Sequence, residues 1–149
     1  MKKLHFMTLC LAMVMASLCF VSCGDDDDYP EIHPGTGSKA LLGTWQVLPG
    51  FTTWDETNYV VFCSDGTGYD IEVEQTIDVD KFEYEYQPAT RKLLVREIDD
   101  NEVEQFEVVK LEGDKLIIRE DDGDTFEAAR CSQPPYTVKQ LEQLWQMQR

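Results

Sequence analysis

The chain reads as an all-β protein: an eight-stranded antiparallel up-and-down barrel followed by one C-terminal α-helix. Three observations carry this. Between residues 40 and 130 the sequence is a series of short apolar stretches separated by turn signals, with no 3.6-residue period. Two of the stretches alternate strictly: Tyr69, Ile71 and Val73 against Asp70, Glu72 and Glu74, and Phe82, Tyr84 and Tyr86 against Glu83 and Glu85. A helical period first appears beyond Pro134 and Pro135.

The expected strands run over 41–48, 58–63, 67–74, 79–87, 92–98, 102–111, 115–121 and 124–130. Five of the links have turn chemistry: Ser64-Asp65-Gly66, Pro88-Ala89-Thr90, Asp99-Asp100-Asn101, Glu112-Gly113-Asp114 and Asp122-Gly123. In each alternating strand the apolar face is expected inside and the carboxylates outside, as a solvated surface. Closure into a barrel leaves no open edge. The helix opens at Thr137, with Gln140 three residues on as a capping box, and its inward stripe is Val138, Leu141, Leu144, Trp145 and Gln148.

The N-terminal part is of a different kind. Lys2 and Lys3 precede an apolar run from Leu4 to Val21, the layout of a secretory leader over residues 1–22. The run is short for a membrane span of about 30 Å and is followed by four aspartates, not by a basic stop-transfer cluster. The leader ends Phe20-Val21-Ser22-Cys23-Gly24 and resembles that of bacterial lipoprotein precursors, with small Ser22 directly before the cysteine. The resemblance implies cleavage before Cys23 and a diacylglycerol thioether, with a further acyl chain, on that residue. Two or three chains at about 0.8 kcal/mol per buried CH₂ would hold the protein permanently at a membrane. Asp25, Asp26, Asp27 and Asp28 look like the acidic export signal of Bacteroidota-type surface lipoproteins, which implies the outer leaflet of the outer membrane. A solvated acidic linker facing the periplasm is the alternative reading. Residues 23–39, the lipidated N-terminus and polar spacer, read as a flexible tether spanning about 20–25 Å on average. Residues 40–149 then form the single barrel domain with its helix.

Loss of the leader removes two lysines and no acid, taking the net charge from −16 to −18. A chain this acidic, with no basic patch, is a poor partner for nucleic acid or anionic headgroups. Only His33 remains of the histidines, in the tether, so a histidine-based triad or zinc site is not expected, nor is any catalytic group or cofactor. Glu120, Asp122, Asp124 and Glu127 around Gly123 read as a charged hairpin turn and not as a calcium loop.

Gly43-Thr44-Trp45 resembles the G-x-W of the lipocalin first strand, and Phe62-Cys63-Ser64-Asp65-Gly66-Thr67-Gly68-Tyr69 is similar to the second hairpin of bacterial lipocalin-like domains. The resemblance implies that Trp45 closes the barrel floor beneath Arg130. It also implies a small, apolar ligand in the opposite mouth, edged by Phe51 and Trp54 with Tyr84 and Tyr86 inside. A filled barrel serving as an accessory or interaction protein of a surface complex is the alternative. Cys63 and Cys131 are the candidate disulfide pair. They flank strand one, however, and two strand spacings are about 10 Å, longer than a disulfide reaches.

Overall fold

In the computed structural model, residues 30–35, 39–48 and 57–149 are described. Eight strands form one closed antiparallel barrel in sequence order: β1 (Gly43–Val47), β2 (Thr57–Phe62), β3 (Thr67–Val73), β4 (Ile77–Gln87), β5 (Lys92–Glu97), β6 (Val103–Glu112), β7 (Lys115–Arg119) and β8 (Thr125–Arg130). β8 returns to β1 with Trp45 opposite Arg130 and Val47 opposite Ala128. The helix α1 (Val138–Met147) follows. Each expected strand is present, with ends moved by at most a few residues, because the turn residues stop the ladders where the sequence breaks.

Two apolar layers hold the fold. The first fills the barrel around Trp45, Phe62, Phe82, Tyr84, Leu93 and Phe106. The second lies outside the barrel, where Val61, Tyr69, Ile71 and Val79 pack against Leu141, with Leu144 and Trp145 beside them. Leu141 is fully buried, and Trp145 is flanked by Lys81 Nζ at 4.8 Å and Arg149 Cζ at 4.7 Å from the ring centre. The capping box is made as expected: the Gln140 amide donates to Thr137 Oγ1 and the Thr137 amide donates to Gln140 Oε1. Gln148 closes the other end, its Nε2 donating to the Ile77 carbonyl and its Oε1 accepting from the Val79 amide. Val138, expected in the inward stripe, is 49% exposed at the first position of α1.

The second layer reverses the expected sidedness of β3. Tyr69, Ile71 and Val73 face outward beneath α1, and Asp70 and Glu72 occupy the inward positions. On β4 the expected sidedness is found: Phe82, Tyr84 and Tyr86 point into the barrel and Glu83 points out to pair with Arg96 on β5.

Part of the stretch expected as tether lies against the barrel. Ile32 is buried, the His33 amide donates to Glu85 Oε2 at 2.8 Å, and the Pro34–Gly35 turn sits on the β2–β3 hairpin. That seat requires glycine at 66: its φ is +85° and a Cβ there would lie 2.0 Å from the Gly35 nitrogen.

Candidate functional site

The two ends of the barrel differ in chemistry. At one end the floor is built on Trp45, whose Nε1 donates to the Leu41 carbonyl at 2.8 Å. Arg130 lies over the ring, Cζ 4.2 Å from its centre, and its two Nη groups donate to the Leu42 and Ala40 carbonyls. The guanidinium thus stacks on the indole and ties down the chain leading into β1. Gly43 admits this arrangement, because a Cβ there would stand 3.0 Å from Arg130 Nη1.

Tyr84 and Tyr86 are inside the barrel, but toward this floor, since β4 runs from the far end to the floor and both stand in its last four residues. Tyr84 packs edge-on against Phe62 at 4.9 Å and donates to the Cys63 carbonyl; its phenol is pushed up to about 12 by burial first, then by Cys63 and Asp65. The two tyrosines are therefore floor packing and not mouth lining. The cavity bordered by Trp45, Val47, Val60, Phe62, Ile118 and Phe126 is about 10 Å³, room for at most about one water molecule. An apolar ligand cannot enter this deep part, which side chains fill.

The far half is lined differently. Because paired residues share a face, the ladders put Asn58 of β2, Asp70 and Glu72 of β3, Asp78 and Asp80 of β4, Glu97 of β5 and Glu104 of β6 on the inner wall, and Glu120 directly follows β7. The remaining arc, on β8, β1 and β2, is apolar: Phe126, Ala128, Val47 and Val60. The basic residues are elsewhere. Lys81 pairs with Glu142, Arg96 with Glu83, Lys115 with Glu127 and Arg119 with Glu107, all on the outside of the barrel. Among the described strand residues, Arg130 at the floor is the one Lys or Arg on the inner register.

Electrostatics follow from this segregation. Glu104 is pushed up to about 7, by burial first and then by Glu102, Glu97, Glu120 and Asp100. Its folded value lies above the ordinary 4.5 of a glutamate, so the folded chain retains a proton that the unfolded chain has released. Stability is therefore expected to fall as pH rises between about 4.5 and 7. Glu104→Gln, neutral throughout, should match the parent in thermal unfolding at pH 5 and melt higher by about 3–5 °C at pH 8. Equal melting temperatures at both pH values would show that Glu104 is not strained by its neighbours.

Of the other expected site residues, Cys63 and Cys131 are free thiols. Cys63 ends β2 and Cys131 follows β8, on opposite sides of β1, and burial pushes the Cys63 thiol up, away from reactivity. Cys23, Asp25, Asp26, Asp27, Asp28, Phe51 and Trp54 lie outside the described residues. The turn around Gly123 is a tight hairpin in which the Asp124 amide donates to Asp122 Oδ1. Among the described residues, no three His, Cys, Asp or Glu side chains gather closely enough to hold a metal ion. A groove of about 490 Å³ lies on the outer surface at the floor end between Gly43, Val61, Cys63 and Tyr136. It brings no set of reactive groups together.

Sequence reasoning missed the acidic inner wall. A signal exists on β4 and β6, where Asp78 and Asp80 continue the register of Phe82 and Glu104 that of Phe106, but not on β3, whose apolar face is the outer one.

These features define the class of the protein: a closed eight-stranded up-and-down antiparallel barrel, lipocalin-like in shape, with one C-terminal helix. No family model matches the chain, and neither a curated protein nor a solved structure matches it.

Proposed function

We propose that the chain is a lipoprotein of the outer membrane, anchored through lipid on Cys23 and facing the cell surface, whose barrel holds a small ligand in the half away from Trp45. The work is binding and not catalysis. The observation that carries the ligand reading is the contrast within the barrel. The floor is filled by aromatic and aliphatic side chains, whereas the far inner wall keeps partly exposed polar side chains beside an apolar arc. A wall of that kind suits a ligand that meets it through polar groups, on the inner faces of β3 to β6. The acidic block after Cys23 supports the surface assignment, and the leader and its Ser22-Cys23 junction support the anchor.

Two measurements test this. Cys23→Ala is expected to move the protein from the membrane fraction to the soluble fraction and to abolish incorporation of labelled palmitate; continued membrane association would remove the anchor. Solvent extraction of the protein purified from its membrane should yield a small molecule at near one per chain, and a clean extract together with no thermal shift across a ligand panel would remove the binding reading. A second reading, a filled barrel that supports contacts in a surface complex, is favoured by the small size of the internal cavity. Recovery of a stoichiometric protein partner with a clean extract would select it.

A further inference from the structure

We propose that the barrel meets the membrane with its Trp45 floor, held there by the segment around Ile32 and His33 as a short stem, so that the opposite rim is directed away from the lipid. This rests on the anchor at Cys23 proposed above and adds which surface of the domain faces the bilayer. The first support is where the stem is seated. The His33 amide donates to Glu85, two residues before the end of β4, and the Pro34–Gly35 turn lies against Gly66 in the β2–β3 hairpin, so both contacts are at the floor end. Ile32 is 6% exposed. Leu94, the ladder partner of Glu85, faces outward between the inward Leu93 and Val95, yet it is 3% exposed, as a side chain beneath the stem would be. Nine peptide links separate Cys23 from Ile32, a reach of at most about 30 Å, against about 55 Å over the sixteen links to Lys39.

The second support is independent of the stem: charge is graded along the barrel axis. The three described links at the far end carry Glu74, three acids over 98–102 and four over 120–124, and no Lys or Arg. Arg149 offsets one of them, at Asp99. The links at the floor end, 63–66, 88–91 and 113–114, carry only Asp65, Asp114 and Arg91, with the exposed Lys39 and Lys92 beside them. A surface of anionic headgroups repels the far rim and leaves the nearly neutral floor as the end that approaches it. The stem and the charge gradient thus turn the domain the same way. The polar half of the barrel is then the half turned to the medium.

The test is quenching of a fluorescent label by a headgroup-quencher lipid, on protein purified from membranes and reconstituted in vesicles of phosphatidylcholine and phosphatidylglycerol. The label is placed at the floor hairpin through Ala89→Cys or at the far hairpin through Asn101→Cys, with Cys63→Ser and Cys131→Ser as background. The floor label is expected to be quenched at least about threefold more than the far label, and raised salt should narrow the ratio. Ile32→Asp, which unseats the stem, and a Gly/Ser insertion of about twelve residues between Tyr29 and Pro30, which lengthens it, should each bring the ratio close to one. Equal quenching of both labels in the parent, on protein that floats with the vesicles, would overturn the orientation and leave the anchor. Stronger quenching of the far label would overturn it as well. Protein that does not float would remove the anchor; the stem is then decided on a leader-free chain with a polyhistidine tag in place of Cys23, held on nickel-chelating vesicles, where equal quenching overturns it. Should Ile32→Asp fail to fold by circular dichroism, the insertion, which leaves the barrel untouched, decides.

Discussion

Trp45→Ala is expected to destabilise the barrel by about 3–5 kcal/mol, the largest single loss among the substitutions considered. The ring is fully buried at the centre of the floor, so its removal leaves a cavity bordered by Val60, Phe62 and Leu116. Two further losses accompany the cavity. The Leu41 carbonyl loses its donor from Nε1, and the Arg130 guanidinium loses the ring on which it stacks. A domain of this size has about 5–15 kcal/mol in all, so the variant should unfold at far lower urea concentration and show a weakened β signal at body temperature. Trp45→Phe separates the contributions: it restores most of the volume but not the hydrogen bond, and should recover all but about 1–2 kcal/mol. An unchanged midpoint for the alanine variant would mean that the floor is not where the barrel's cohesion lies.

Leu141→Asp comes next in expected effect. Leu141 is fully buried between α1 and the outer faces of β2, β3 and β4, and the basic side chain beside that apolar cluster, Lys81, is already paired with Glu142. Burial of an unpaired charge costs several kcal/mol, more than the docking of a ten-residue helix is expected to supply, so α1 should release from the sheet. Release exposes Tyr69, Ile71 and Val79 and breaks the pair of contacts that Glu142 receives, from Tyr69 Oη at 2.6 Å and Lys81 Nζ at 2.7 Å. The expected signature is a red-shifted Trp145 emission, binding of a hydrophobic dye and aggregation, with the barrel's far-ultraviolet β signal retained. Loss of the β signal together with the helix would show instead that β3 cannot hold its sidedness without α1.

That second outcome bears on how much of the molecule was legible beforehand. The strand count, the order of turns and the capping box at Thr137 follow from local chemistry: glycine and aspartate at hairpins, period-two alternation, and a threonine and a glutamine three residues apart. The closing of β8 on β1 near Trp45 and Arg130 follows from antiparallel order alone, since the start of the first strand and the end of an eighth must share a rim. The acidic wall was not legible in the same way. β3 alternates as clearly as β4, yet their carboxylates end on opposite sides of the sheet.

What the sequence determined by itself was therefore the set of strands, their antiparallel succession, and the helix and its cap. Only the tertiary structure decided which face of each strand is inside. The physical reason is that alternation defines two faces without labelling them: either may be the dry one, and a helix packed outside offers an apolar strand face a second place to be buried. α1 takes that place over Tyr69 and Ile71, and register then carries Asp70 and Glu72 into the barrel, where they meet Asp78 and Asp80.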